Sequence, residues 1–203
     1  MVIAAAPLGD AAVRCVVDDL AEAHALHAAL MGAGLPGVVN VVPTWRCVVV
    51  MLDAPDHRAG VLEFVSALDV ASLPDAPARR HELPIFYDGA DLADVARQCG
   101  MTPAEVAAAH SAADYVVAFL GFAPGFPYLA GLPEALAVAR KETPRQQVPA
   151  GAVGIADRVT GIYPAASPGG WQIVGRVEVR LWDEHATPPA LLAPGDHVRF
   201  APA

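Results

Sequence analysis

From Tyr115 onward the sequence is a string of short apolar runs, each closed by glycine or proline: YVVAFLGF, VPAGAVGIA, GIYP, WQIVG, VEVRLW and DHVRF. Many short strands with Gly/Pro turns predict a barrel or sandwich. The earlier part is patterned differently. Val13, Cys15 and Val17 alternate with Arg14, the period of a half-buried strand. Asp18 or Asp19 can cap a helix running through Met31, with Leu20, Ala23, His27, Leu30 and Met31 as its apolar stripe and Gly32 and Gly34 as its stop. Residues 38–42 and Cys47–Leu52 predict a hairpin, and a second helix follows Asp53-Ala54-Pro55 and ends near Ala67. Strand, helix, hairpin, helix is the order of a ferredoxin-like βαββαβ unit.

Between the two patterns lies SLPDAPARR, residues 72–80, with two prolines and paired arginines, which reads as a linker. Two domains are therefore expected, 1–78 and 79–203, and the fold class is α+β. The second domain opens with a strand at 83–87 and a short helix at 91–99 stopped by Gly100. Thr102-Pro103-Ala104-Glu105 then forms a capping box with proline at the first helical position, opening a helix to about His110.

A net charge of −9 and a pI of about 5.1 disfavour a nucleic-acid partner, because phosphate binding needs clustered cations. No apolar run approaches the roughly 20 residues of a membrane span: the longest, 115–126, is broken by Gly121, Pro124 and Gly125. The first ten residues carry no basic stretch and meet Asp10 too early for a signal peptide, so a cytoplasmic protein is expected. The positive mean hydropathy of +0.40 fits either a large core or an apolar face covered by a partner. Cys15, Cys47 and Cys99 are far apart in apolar contexts and read as buried free thiols.

Three segments carry unusual chemistry. In Leu120-Gly-Phe-Ala-Pro-Gly-Phe-Pro-Tyr-Leu-Ala-Gly-Leu-Pro133, glycines permit angles that other residues resist while prolines fix φ, and Phe122, Phe126 and Tyr128 recur near-alternately on that frame. It suits a pocket or interface wall, or equally a buried turn packing its own aromatics. In Thr143-Pro-Arg145…Val148-Pro-Ala-Gly151, the Arg145 guanidinium suits a carboxylate or phosphate, or a surface ion pair. In Gly161-Ile-Tyr-Pro164…Ser167-Pro-Gly-Gly-Trp171-Gln172, Gly169 and Gly170 allow close backbone approach, and Trp171 is either a pocket floor or core. Leu192-Ala-Pro-Gly-Asp196 reads as a turn into the last strand.

Standard catalytic devices are missing. There is no GxSxG elbow and no GxxxxGK[ST] loop before the single lysine, Lys141. His24 and His27 share a helix face but lack a third ligand, so no metal site is expected. His110 is read as a general base or as a cation at a helix C-terminus, the second reading being the one its position favours.

At FLGFAPGFPYLAGLP, TPRQQVPAGAVGIA, GIYPAASPGGWQIVGR and LLAPGDHVRF the chain resembles the family of the 5-oxoprolinase B component, also called allophanate hydrolase subunit 1 and KipI-like, with a carboxyltransferase domain of the subdomain C and D type. Weaker echoes occur at Leu8-Gly-Asp10, Val41-Val-Pro43 and His81-Glu-Leu-Pro84. The resemblance implies a ferredoxin-like N-terminal domain and a cyclophilin-like β-barrel. It implies a large partner, the 5-oxoprolinase C component or allophanate hydrolase subunit 2, with the 5-oxoprolinase A component as a third member, in a complex that opens 5-oxoproline to glutamate with ATP. Relatives instead form the carboxyltransferase part of biotin-dependent urea carboxylase, or inhibit a histidine kinase. Carried over by position, the resemblance assigns His110 and Arg145 as catalytic, with Arg145 meeting a substrate carboxylate and His110 moving a proton. It assigns Phe122, Pro124, Gly125, Phe126, Tyr128, Ser167, Pro168, Gly169, Gly170 and Trp171 to a substrate cleft. The chain departs from the family pattern at Ala152, where a serine is usual, at Asp157-Arg158-Val159, and at Val177-Glu178, where Thr-Pro is common.

Overall fold

The structure, a computed structural model, describes residues 4–74 and 77–203. The chain divides into two compact units, Met1–Pro77 and Ala78–Ala203. Within the predicted linker, Asp75 and Ala76 lie outside the described residues, and Arg80 already begins a strand.

The first unit runs β1 (Ala4–Pro7), β2 (Ala12–Val16), α1 (Leu20–Gly32), β3 (Val38–Pro43), β4 (Cys47–Leu52) and α2 (Arg58–Ser66). Its antiparallel sheet has the order β1-β2-β4-β3. Asp19 is the cap of α1: its carboxylate accepts the Glu22 N–H at 2.9 Å, satisfying one of the orphan donors of the first turn. The alternation read from the sequence turns Val13 and Cys15 of β2 and Val48, Val50 and Leu52 of β4 into one core. Ala23, Leu26 and Leu30 of α1 and Val61 and Val65 of α2 complete it. The strand order departs from the predicted βαββαβ. An extra strand, β1, precedes the expected first strand and pairs along its edge, and among the described residues no strand after α2 joins this sheet. Its sequence, AAAP, is largely exposed and has no alternation or β-branched residue to betray it.

The second unit runs β5 (Arg80–Phe86), α3 (Leu92–Cys99), α4 (Pro103–Ala112), β6 (Tyr115–Leu120), β7 (Pro127–Ala130), β8 (Arg145–Val148), β9 (Ala152–Ala156), β10 (Val159–Ile162), β11 (Ser167–Gly169), β12 (Gln172–Val177) and β13 (His197–Pro202). Seven strands close a barrel in the order β10-β7-β6-β13-β5-β12-β9, and β8 and β11 pair as a separate two-stranded ribbon. The inward residues include Leu83, Ile85, Val117, Leu129, Ile155, Val174 and Phe200. Val95 of α3 and Val106 of α4 pack on the same core. The predicted capping box starts α4: the Thr102 N–H donates to Glu105 Oε2 at 2.7 Å and the Glu105 N–H to Thr102 Oγ1 at 3.3 Å.

The barrel is closed by β13 lying parallel to β5, His197 opposite Arg80 through Pro202 opposite Ile85. Parallel pairing joins distant parts of a chain and offers no tight turn to set the register. Asp196 supplies that function. Its buried carboxylate accepts from the Arg79 N–H at 2.9 Å, Arg79 Nη2 at 2.9 Å and the Ala193 N–H at 3.0 Å, and sits 3.0 Å from His81 Nε2. The turn predicted at 192–196 is thus also the clasp of the seam. VEVRLW, predicted as a strand, leaves the barrel after Val177, and Trp182 makes only a single bridge, to Ala190.

Candidate functional site

The aromatic segment begins as a tight turn after β6. The Gly121 N–H donates to Phe126 O at 3.1 Å, and the Phe126 N–H donates back to Ala123 O at 3.0 Å. Gly125 takes φ +77° with Trp182 Cβ and Leu181 O only 3.0 and 3.1 Å from where a side chain would start, so any other residue there is strained and crowds Trp182. Phe122 holds φ +67°, a region that costs a bulky residue on the order of 1 kcal/mol. The residue is 63% exposed.

Phe126, fully buried, is the hub of the wall that follows. Its ring lies 5.1 Å from Tyr128, 5.1 Å from Tyr163, 5.4 Å from Trp171 and 5.5 Å from Phe122, mostly edge to face. Tyr128 and Trp171 meet at 5.6 Å. Such edge contacts contribute about 0.5–1.5 kcal/mol each beyond area burial. Gly161 lies beneath: a Cβ there would stand 2.8 Å from the Trp171 ring and 3.0 Å from Phe126. With Val148, Ala152, Ala156 and Ile173 these rings form a cluster separate from the barrel core.

Beside the wall is a charged cluster centred on Asp91, at the start of α3. Its Oδ1 accepts from Arg145 Nη2 at 2.6 Å and from Lys141 Nζ at 2.7 Å, and its Oδ2 from the Ile173 N–H at 2.7 Å. Burial pushes the Asp91 carboxyl up, but Arg145, Lys141 and the Ile173 amide outweigh it and hold the group below the usual carboxylate range. Two cations face one carboxylate, so the cluster keeps a positive surplus. Arg145 Nη1 and Ser167 Oγ are both buried and, among the described residues, without a hydrogen-bond partner. The ribbon carries both of these side chains, with Gly169 opposite Arg145 and Ser167 opposite Val148.

His110 lies elsewhere, wholly buried between Tyr115 and Phe200, with ring centroids 5.3 and 4.8 Å away. Thr160 gives its hydroxyl proton to Gly154 O at 2.9 Å, so it accepts from His110 Nε2–H at 3.1 Å. Nδ1 is left to accept from the Tyr87 hydroxyl at 2.8 Å. Burial lowers the His110 pKa to about 3. The ring is therefore neutral at pH 7, and the cationic helix-terminus reading of His110 does not hold.

The structure brings Phe122, Phe126, Tyr128 and Trp171 into one wall, with Pro124 and Gly125 shaping its turn. Gly169 packs against the Tyr163 ring and hydroxyl, and Gly170 receives the Lys141 N–H on its carbonyl at 2.7 Å. Ser167 and Pro168 lie on β11, beside Arg145 on β8. His110 is not part of this wall. Sequence reasoning missed Asp91, which had been read only as the start of a helix. It makes no capping bond and instead reaches across to Lys141, the chain's single lysine, the one signal that could have pointed to it. The segment 120–133, expected as a pocket wall or a buried turn, contains the strand β7, hidden by its prolines and glycines; the strands β8 and β11 lie in 143–151 and 161–172. Among the described residues, no group of three or more His, Cys, Asp or Glu is placed to hold a metal ion, and no helix is long and apolar enough to cross a membrane.

The barrel and its wall have relatives: the chain belongs to the carboxyltransferase domain family, subdomain C and D, whose model matches residues 3–192. Among its relatives it is similar to the 5-oxoprolinase B component of Escherichia coli O157:H7, 43% identical over 175 residues that cover 83% of this chain and 79% of that protein. It is also similar to the crystal structure of TTHA0988, with a TM-score of 0.82 and 40% identity over 95% of this chain; it spans 40% of that longer chain. The Kluyveromyces lactis urea carboxylase shares the fold, with a TM-score of 0.70 at 20% identity, covering 99% of this chain and 22% of that one.

Proposed function

We propose that this chain is the small subunit of a heteromeric, ATP-dependent lactam hydrolase that opens 5-oxoproline to glutamate, working with a large partner of the 5-oxoprolinase C type and with the A component. The observation that carries the reading is the 43% identity to a protein named as the B component of 5-oxoprolinase, over most of both chains. In the same reading the barrel is cyclophilin-like, and the first unit is a ferredoxin-like sandwich in which β1 takes the edge position of the usual last strand.

The site chemistry suits a small lactam. The Tyr128–Trp171 wall offers an apolar face for a five-membered ring, and ligand sites are mostly apolar with a few placed polar groups. Arg145 Nη1 and Ser167 Oγ, the two donors of this cluster without a partner among the described residues, would meet the ring carbonyl, since Arg145 Nη2 already serves Asp91. Buried orphan donors are costly, about 1–3 kcal/mol each, and a ligand acceptor would relieve them. His110, closed off by Tyr87 and Thr160, holds the barrel side of the site in position rather than touching substrate. ATP enters as a co-substrate of the assembly; this chain has no phosphate-cradling glycine loop before its lysine.

The test is co-expression with the large and third subunits, followed by ATP hydrolysis with and without 5-oxoproline. Hydrolysis stimulated by 5-oxoproline in the assembled complex is expected. An assembled complex whose ATPase ignores it overturns the reading. The family match itself favours one second reading, a carboxyltransferase module serving a biotin carboxylase; carboxyl transfer to urea or a related amide would then replace lactam opening.

A further inference from the structure

We propose that Arg140 is the specificity-determining residue that receives the substrate's carboxylate. This rests on the reading above that the ligand is a small ring carboxylate at the aromatic wall, and it adds the side chain that recognises the charge.

Arg140 is held on a fixed piece of backbone. On one side of it the Ala139 carbonyl accepts from Gln172 Nε2 at 3.2 Å; on the other the Lys141 N–H donates to Gly170 O at 2.7 Å. The two anchors fall on either side of Trp171, so Arg140 is displayed where the wall ends. Lys141, next in the chain, turns its side chain to Asp91. Arg140 itself is exposed and, among the described residues, makes no hydrogen bond or ion pair. Arg79, Arg97, Arg145, Arg158, Arg176 and Arg180 each have a carboxylate of this unit within ion-pair distance; Arg80 and Arg199, on β5 and β13, have none either among the described residues, and Arg140 differs from them in standing next to the residues that flank Trp171. On its other side Arg140 borders a hollow of about 470 Å³ shared with Arg97, Lys141 and Gln172, which Tyr128 and Trp171 do not line. Of the two carboxylates on that hollow, Asp94 is occupied by Arg97, and Glu142 makes no pair with Arg140. The positive field of Arg140 also falls on Tyr128 and Tyr163, opposing the upward push that burial gives their hydroxyls.

The choice between Arg140 and Arg145 is electrostatic. Arg145 already gives Nη2 to Asp91, so a ligand carboxylate there would have only Nη1 and would share the cation with a second carboxylate. At Arg140 no carboxylate of the described residues is paired with the cation, and a planar guanidinium fork matches a carboxylate with two parallel bonds. The inferred ligand therefore has its ring on Tyr128 and Trp171 and its carboxylate on Arg140.

The experiment is calorimetric binding to the assembled complex of 5-oxoproline and of its uncharged amide, for wild type, Arg140→Ala and Arg140→Lys. Arg140→Ala should weaken the acid by at least about tenfold, the loss of a charge-assisted contact, and leave the amide unchanged. Arg140→Lys should recover part of the loss. Equal binding of the acid by wild type and Arg140→Ala, or equal weakening of acid and amide, overturns the inference. A wild-type complex that ignores 5-oxoproline sinks the substrate reading instead. Arg140 is then judged on proline, pyrrole-2-carboxylate and glutamate. It survives only if one of them binds and Arg140→Ala weakens that binding.

Discussion

The barrel buries two carboxylates, Asp196 and Asp91, and their surroundings differ in what they leave over. Around Asp196 every partner belongs to the closure of the barrel: the Arg79 amide and guanidinium, His81 on β5, and the Ala193 amide of the turn before β13. Arg79 reaches on to the Leu191 carbonyl, so its charge is absorbed by the seam. Around Asp91 two cations converge on a single oxygen, and one guanidinium nitrogen remains without a partner. A buried acid with matched donors holds strands in register. A buried acid outnumbered by its cations instead leaves a positive surplus beside an aromatic wall, which is where a ligand has something to bind.

The largest expected effect is at the seam. Asp196→Ala strips four contacts at once and leaves His81 and the Ala193 amide facing an apolar gap, a change costing about 3–5 kcal/mol. For a chain of this size that is on the order of 10 °C in melting temperature, read by circular dichroism. A melt within about 2 °C of wild type would mean that β13 needs no clasp. Asp91→Asn keeps the shape but removes the charge between Lys141 and Arg145, both partly solvated, and should cost less, about 2 kcal/mol. Its distinctive consequence is functional: the KM of the complex for 5-oxoproline should rise by at least about tenfold, whereas a milder seam variant, Asp196→Asn, leaves the KM unchanged. If Asp196→Asn raises the KM as much as Asp91→Asn does, the contrast between the two acids is wrong.

Acid should separate the two carboxylates from the buried histidine. His110 stays neutral in the fold, its pKa lowered to about 3 from 6.5, so between those values only the unfolded chain takes up its proton. Stability from this group is complete above pH 6.5 and drains as pH falls, by about 1.5 kcal/mol between pH 6.5 and 5. Both aspartates are held low, so their contribution persists to more acid pH and goes only as pH falls through their folded pKa values, below about 4. His27 in the first unit is also lowered, by burial and by His24, and acts in the same direction as His110. Urea unfolding in a Trp45→Phe background, where Trp171 and Trp182 report only on the second unit, isolates the barrel. Asp91→Asn and Asp196→Asn should both keep the slope between pH 6.5 and about 5. A variant that loses it would tie that slope to its carboxylate.

The two acids also differ in how far the sequence announced them. Asp196 sits in Leu-Ala-Pro-Gly-Asp before an alternating run, and the turn and last strand there were readable from local chemistry. Its partners, 115 to 117 residues away, were not, because a parallel seam leaves no local mark. Asp91 was visible only as a helix start, since its bonds to Lys141 and Arg145 span 50 and 54 residues. The aromatic wall was more legible: Phe122, Phe126 and Tyr128 recur on a Gly/Pro frame, and Trp171 follows paired glycines. Tyr163, in GIYP just after β10, joins them only once β10 has folded beside β7. β1 was illegible for the opposite reason, an edge strand of alanines whose pairing is decided by its neighbour.

The smallest predicted change in stability concerns the outermost ring of the wall. Phe122 combines a left-handed backbone with exposure of most of the residue to solvent, so the fold accepts strain there and receives little burial in return. Replacing it by glycine removes the strain, while the unfolded chain gains freedom of about the same size. Phe122→Gly should therefore melt within about 2 °C of wild type, a shift near 0.5 kcal/mol. If the ring were holding Phe126 and Tyr163 in place, the loss would instead exceed about 1.5 kcal/mol. A near-neutral melt together with weakened assembly with the large subunit, read by co-purification, would make Phe122 a contact for something outside this chain. The wall would then have a core half, built on Phe126, and a presenting half at Phe122, as the barrel has one acid that closes it and one that stays open to a ligand.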